Sequence, residues 1–267
     1  MGLILADLEA TCWPPGDPRR KQQSEISEII EIYAIAVDPH TFSIMREFHT
    51  YVCPQINAQL TSFCLELTGL SQSLIDQAPS PKEFIEAWQS WLGDDSHTLA
   101  SWGSFDHRLL SRVWKETKQH NPPWVHLDVQ SQFESCCRSH RAEQSKWYQN
   151  SKLSRISGLS LKEGVDALGI EWKGQAHTAK TDTLAALDCF RFASSAQGFT
   201  PLEKSLMSLV ERDTLQGRAT YWGESVRTLG INKADFQCIS RGLMKRGFLC
   251  IESKIGALRI NPLTSIY

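Results

Sequence analysis

Asp7 and Glu9 are the first residues of this chain that could do chemistry. They stand two apart at the end of the apolar run Leu3-Ile4-Leu5-Ala6, which reads as a buried strand. Side chains at i and i+2 of a strand share a face. Two carboxylates pointing the same way beside a core are costly unless a cation lies between them. Hard carboxylate oxygens suit Mg²⁺, and Mn²⁺ can substitute. A strand that simply leaves the core, with both acids solvated, has the same pattern.

Three more residues extend the set. Asp106 follows the apolar stretch His97–Trp102 and opens a helix, where a lone carboxylate is also a plain partner for the helix dipole. His177 and Asp182 stand five apart at the start of a later helix. Alone, His177 reads equally as a surface or capping histidine. Taken together the order is Asp-x-Glu, Asp, His-x₄-Asp. Four carboxylates can hold two divalent ions with one carboxylate bridging. Ions about 3.5–4 Å apart can stabilise both the attacking and the leaving oxygen of an in-line phosphoryl displacement. A neutral imidazole nearby can take a proton from the attacking water.

The elements that must position these residues form an α/β pattern. The runs Glu28–Val37 and Ser43–Val52 read as an antiparallel hairpin turned at Asp38-Pro39-His40-Thr41. Leu60–Leu67 and Ser71–Gln77 read as short helices. Pro81–Leu92 reads as a longer one, with Ser80 as N-cap and Glu83 in the first turn. A short strand over His97–Trp102, a helix over Phe105–Thr117, a strand over Val125–Val129 and a short helix through Cys136 follow. Arg141–Ser157 is polar without a clear period and reads as a loop or frayed helix. Helices over Ser160–Leu168 and Thr178–Ala196 complete the region. Three strands in succession, then two alternating with helices, predict a mixed five-stranded sheet flanked by helices.

Composition excludes several classes. Hydrophobic residues make up 41% and charged residues 22% of the 267, as in soluble globular proteins. No apolar run is long enough to span a membrane, and no basic start precedes an apolar secretory segment. Met1-Gly2 opens like a myristoylation site, but Ala6 stands where Ser or Thr is needed. Eight cysteines occur without Cys-x-x-Cys pairs, which predicts reduced thiols in an intracellular protein, cytoplasmic or nuclear and not secreted. Cys136, Cys137 and His140 read either as metal ligands or as helix packing. Arg19-Arg20-Lys21, in the breaker-rich loop after Trp13, could touch a phosphate backbone or be plainly solvated.

The net charge of −2 is uneven. Residues 199–267 hold ten Lys/Arg against six Asp/Glu, whereas residues 1–198 hold 18 against 24. Ser194–Gly198 resembles a linker, so two domains are expected, 1–197 and 198–267. In the second, helices over Pro201–Glu211, Gly223–Leu229 and about Lys233–Arg246 precede two strands, Phe248–Glu252 and Ala257–Ile260. That is the outline of a small winged-helix-like domain. Its third helix carries Lys233, Arg241, Lys245 and Arg246, as a groove-reading helix would. Winged helices also dock proteins, so the partner of this domain is either protein or nucleic acid.

The first region resembles the DEDDh 3′–5′ exonucleases with a ribonuclease H-like fold. Within them it is similar to the enhanced-RNAi exonuclease branch, with its histone-mRNA 3′-end nucleases and the worm cell-death-related nuclease. The matching segments are Ala6–Trp13, Glu28–Ile32, Phe63–Leu70, Ser101–Asp106 and His177–Asp182, so the resemblance covers about residues 2–196. Thr181 stands where this branch often has an acid, and Lys180 puts a cation near the expected metal site. The resemblance implies a two-Mg²⁺ enzyme that releases nucleoside monophosphates from the 3′ ends of single-stranded or 3′-overhanging RNA or DNA. By resemblance Asp7 binds both metals, Glu9 and Asp182 hold the ion that activates water, Asp106 supports the other, and His177 is the general base. Leu8, Ala10, Thr11, Leu67, Thr68, Gly69 and Phe105 are implied to lie against the 3′-terminal nucleotide, although Leu67 and Phe105 read equally as core. Two other readings stay open. One is a nucleic-acid-binding or scaffold protein with weak nuclease activity, acting through the C-terminal domain. The other is a polymerase-associated proofreading subunit.

Overall fold

The computed structural model describes residues 2–118, 120–172, 174–195, 198–252 and 256–261. Two compact units divide it. One comprises Met1–Val129 and Glu171–Leu187, the other Gln130–Ile170 and Asp188–Tyr267.

In the first unit the opening apolar run is strand β1, Gly2–Ala10. It is central in a five-stranded sheet of order β3-β2-β1-β4-β5, which explains why apolar residues occupy both of its faces. Strand β2 (Ile29–Val37) runs antiparallel to β1, with Glu9 opposite Glu31, and β3 (Ile44–Tyr51) runs antiparallel to β2. Strand β4 (His97–Ser101) is parallel to β1, and β5 (Trp124–Asp128) is parallel to β4. The sheet is therefore mixed, as expected from the element order.

The helices of this unit are α1 (Gln23–Ile26), after a 3-10 turn at Pro18–Gln22, then α2 (Ser62–Thr68), α3 (Gln72–Asp76), α4 (Pro81–Leu92) and α5 (Phe105–Lys118). Helix α4 starts where the sequence says it must. The Ser80 side chain accepts from the Glu83 backbone, and Glu83 accepts the Ser80 N–H at 2.8 Å. Ile4, Ala6, Leu8 and Ala10 of β1 pack into one core with Phe84, Ile85 and Trp88 of α4 and Leu109, Leu110 and Trp114 of α5. Alternation then sends Asp7 and Glu9 to the other face.

The second unit takes up helix α6 (Val129–Ala142) after its first residue, α7 (Lys146–Asn150) and α8 (Leu161–Leu168). Helix α9 (Ala179–Ser194) belongs to the first unit through Leu187 and to the second from Asp188. Helices α10 (Pro201–Leu215), α11 (Trp222–Leu229) and α12 (Lys233–Lys245) follow, then the antiparallel strands β6 (Leu249–Glu252) and β7 (Ala257–Ile260). A core of Leu206, Met207, Val210, Phe236, Ile239, Leu243 and Leu258 unites these elements.

Three expectations change here. Helix α6 does not stop at Cys136; it continues to Ala142 because Phe133, Cys136, Cys137 and His140 form one buried stripe at helical spacing. The polar stretch 141–157 contains helix α7, capped by the Ser145 side chain. Cys136 and His140 are packing residues. The Cys136 thiol and His140 Nε2 both meet the carbonyl of Gly198, at 3.2 and 3.0 Å. Arg246 is not on a reading face. It is completely buried, 2.6 Å from Glu203 Oε1, and donates to the Gly198 carbonyl at 3.0 Å. Helix α6 supplies much of what surrounds Gly198, and the compact unit that holds residues 198–267 also holds Gln130–Ile170. Ala196 and Gln197 of the expected linker, and residues 253–255 between β6 and β7, lie outside the described residues.

Candidate active site

Two helices converge on the acids of β1. Asp182 lies in the first turn of α9, and Asp106 in the first turn of α5. Oxygens of Asp7, Glu9 and Asp182 lie within 4.8 Å of one another. Asp106 is 8% exposed, and its carboxylate accepts backbone N–H groups of its own residue and of Leu8. It completes the set electrostatically, since it is the largest charge acting on Asp7.

Burial raises every one of these pKa values, and the crowding of like charges adds to it at Asp7, Glu9 and Asp106. Burial, then Asp106, Glu9, Asp182 and Glu31, hold the Asp7 carboxyl well above the usual range. Burial followed by the Asp182 and Glu31 charges pushes Glu9 up to about 8. Asp106 rises to about 7, mainly by burial. Burial raises Asp182 too, offset in part by the charge and backbone N–H of His177. Among the described residues no Lys or Arg is ion-paired to any of the four.

The residues fit a hard divalent cation. All converging donors are carboxylate oxygens, the ligand type of Mg²⁺, Mn²⁺ or Ca²⁺. Asp182 Oδ1 is buried without any hydrogen-bond partner, and such an orphaned anionic oxygen is costly unless something else satisfies it.

His177 is brought next to Asp182 rather than into the acid cluster. It is exposed, its backbone N–H serves the Asp182 carboxylate, and its φ is 62°. A left-handed conformation is uncommon for a residue with a side chain. Here it turns the loop so that α9 begins with Asp182 facing the sheet. Lys180, expected near the metal site, points to β3 and β2 instead. Its Nζ lies 4.0 Å from Glu47 and 5.3 Å from the centre of the Tyr33 ring.

The residues implied for nucleotide contact divide into two groups. Leu8 and Ala10 are core, while Thr11 accepts the Glu28 N–H at 3.0 Å and Thr68 donates to the Cys64 carbonyl at 2.8 Å. Their side chains are occupied, so a ligand could meet only their backbone. Leu67 and Phe105 are half-buried and retain an accessible face, and Gly69 is exposed. Gly69 has φ 72° at the end of α2, and a Cβ there would lie 3.1 Å from the Gln175 amide, so the position requires glycine.

Sequence reasoning missed Glu31 and Glu28 as site residues. Glu31 is 4% exposed, accepts from His49 Nε2 at 2.8 Å and takes the Ala179 N–H at 3.4 Å. It thus ties the start of α9 to β2 while adding negative charge beside Glu9. The signal was present, because an acid inside the apolar run Ile29–Val37 is as anomalous as Glu9 in β1. Glu28 receives the backbone N–H groups of Gln55, Ile56 and Asn57, at 2.6, 3.1 and 2.6 Å, and so clamps the loop after β3.

Comparison with known proteins decides the family. A sequence profile described as Exonuclease matches residues 4–190. The chain belongs to the exonuclease family. It is 34% identical over 210 residues to the 3′-5′ exonuclease Snipper of Drosophila melanogaster, covering 70% of this chain and 68% of that one. To human 3′-5′ exoribonuclease 1 it is 33% identical over 192 residues, 68% of this chain and 49% of the relative. The chain thus spans about half the length of that relative, and less of the first curated relatives it matches, 15% and 46% of their lengths. Among solved structures, the nuclease domain of 3′hExo, a DEDDh family member bound to rAMP, superposes with a TM-score of 0.54 at 22% identity, covering 71% of this chain and 90% of that one. At that identity the likeness establishes the fold, a ribonuclease H-like sheet with flanking helices.

Proposed function

We propose that this exonuclease-family chain is a metal-dependent 3′–5′ exonuclease that removes nucleoside monophosphates from single-stranded or 3′-overhanging ends of RNA or DNA. One observation carries the reading: three carboxylates converge within 4.8 Å, and one of their oxygens is buried without a partner. Asp7, Glu9 and Asp182 would hold a divalent cation, Mg²⁺ or Mn²⁺, with Asp106 supporting a second. A bound pair of ions supplies Lewis-acid stabilisation of the attacking and leaving oxygens of the phosphodiester. The chain's own contributions are positional. Leu67, Gly69 and Phe105 offer accessible surface for the terminal nucleotide, and an aromatic or apolar face grips any base without choosing among them. The His177 ring, exposed beside Asp182, takes a proton from the attacking water on a ring nitrogen.

The arrangement of α10–α12 with the hairpin β6–β7, and the bridge between Thr220 and Leu258, supports reading 198–267 as a winged-helix-like module that follows an exonuclease domain in 1–197. All eight cysteines are free thiols, which supports an intracellular location, cytoplasmic or nuclear. Among the described residues no helix is long and apolar enough to cross a membrane.

The test uses 3′- and 5′-labelled single-stranded RNA and DNA of one sequence with Mg²⁺, Mn²⁺ or EDTA, beside Asp7→Ala and His177→Ala. A metal-dependent ladder shortening from the 3′ end and lost in both variants is expected. The faster polymer identifies the substrate class. Binding without cleavage of any substrate would sink the enzymatic reading in favour of a nucleic-acid-binding protein. Cleavage only in the presence of a polymerase would favour a proofreading subunit.

A further inference from the structure

Helix α12 presents a row at helical spacing on its exposed side, Lys233, Gln237, Arg241 and Lys245. Residues four apart lie above one another on a helix. Three of the four are cations, spread over about 18 Å at 1.5 Å per residue. The row borders a groove of about 460 Å³ in the second unit, whose opposite wall is α6 with Arg138 and Ser139. The two helices are close there, because a Cβ on Gly242 would lie 2.8 Å from Ser139 Oγ.

The charges of this row are available. Among the described residues Lys233, Arg241 and Lys245 have no carboxylate partner within 4.0 Å. The nearby acids are engaged elsewhere. Asp235 is held by Asn232 at 2.6 Å, and Glu134 by Arg138 at 3.5 Å and by the N–H of Gly158 at 2.7 Å. An aromatic surface stands at the N-terminal end of the row. Trp222 is 53% exposed, and Lys233 Nζ lies 5.0 Å from its ring centre.

We propose that this row, with Trp222 at its end, binds single-stranded nucleic acid, the three cations meeting phosphates along the strand and the indole stacking on a base. A track of cations beside an exposed aromatic is the arrangement that holds a single strand without reading its sequence. A duplex fits worse. A reading helix must enter a major groove about 12 Å wide, and α6 stands directly alongside α12. Only the identification of the bound strand as a substrate rests on the exonuclease reading; the binding itself does not.

The test is fluorescence anisotropy of a labelled single-stranded 15-mer with the full chain in EDTA, where no cleavage can intervene. Three phosphate contacts contribute a slope of about 2 in log K against log salt, or roughly twentyfold in affinity between 50 and 200 mM. The triple variant Lys233→Ala, Arg241→Ala, Lys245→Ala is expected to lose that slope. Trp222→Ala is expected to weaken binding about tenfold with the slope kept. The wild-type chain gives a second readout that requires no variant. Cys238 is an exposed thiol in the groove wall, so a bound 15-mer should slow its alkylation, followed by peptide mass spectrometry. An unchanged slope in the triple variant, an unprotected Cys238, or tighter binding of a blunt duplex of equal length would each overturn the proposal. Wild-type cleavage of the same 15-mer in Mg²⁺ is scored separately. A lost slope without cleavage removes the nuclease reading and leaves the binding site standing.

Discussion

Replacing Glu9 by Gln should make the metal-free protein more stable at alkaline pH, although it removes a side chain of the active site. The carboxyl of Glu9 is pushed from 4.5 to about 8 in the folded chain. Between those values the folded state keeps a proton that the unfolded state has released, so stability falls as pH rises. The contribution is fully present below about pH 4.5 and is lost by about pH 8. One pKa unit corresponds to 1.36 kcal/mol, so the shift is worth on the order of 3–5 kcal/mol, a large part of a typical stability of 5–15 kcal/mol. Asp7 has the same sign and is relieved by the same substitution, because Glu9 is one of the charges raising it. Burial holds His97, His107, His126 and His140 below their ordinary range, and these act oppositely below about pH 6.5. The observable is therefore the difference between Glu9→Gln and wild type, in which the histidines cancel. Urea unfolding in EDTA at pH 5 and pH 8.5 should show the variant gaining about 3–5 kcal/mol relative to wild type across that interval. At pH 8.5, Mn²⁺ should stabilise the wild type and act much less on the variant. A difference that does not change with pH would refute the electrostatic account of the site.

Other substitutions test separate parts of the structure. Asp182→Asn should abolish the Mg²⁺-dependent rise in Tm and any cleavage while leaving the circular dichroism spectrum intact, since Asp182 Oδ1 has no protein partner to lose. Arg246→Met should destabilise the chain by about 3–5 kcal/mol in urea, because it strands the buried carboxylate of Glu203, and Glu203→Gln combined with it should recover much of the loss. Gly69→Ala should cost about 1–2 kcal/mol in the same assay, through its left-handed φ and the close Gln175 amide.

Most of the fold was legible because its determinants are local. Ser80 with Glu83 fixes the start of α4, and the alternation of Ile4, Ala6, Leu8 and Ala10 against Asp7 and Glu9 gives the core and site faces of β1. Helix α6 was cut short because its buried stripe contains two cysteines and a histidine. Their polarity hides the helical period until the Gly198 carbonyl supplies the partners that allow His140 and Cys136 to be buried. Arg246 was misread for a related reason. Sequence shows a cation in a basic stretch, whereas its partner, Glu203, is 43 positions away.

The same contrast governs the candidate site. Asp7, Glu9, Asp106 and Asp182 could be found because acids at strand ends and helix starts are exceptions to a local pattern. Glu31 escaped because its meaning depends on strand register. Only when β2 lies antiparallel to β1 with Glu9 opposite Glu31 does it become a fifth buried charge rather than a surface acid. That register has an energetic consequence. Burial alone already disfavours the charge on each acid of the site, and the cross-strand pair adds mutual repulsion that no Lys or Arg among the described residues relieves. His49 and the Ala179 N–H hold Glu31 in place, so the repulsion falls on Asp7 and Glu9, whose oxygens lie within 4.8 Å of one of Asp182. The β1–β2 pairing therefore makes the acid cluster hold its protons to higher pH in the metal-free protein, and gives a divalent cation more repulsion to relieve once those protons leave.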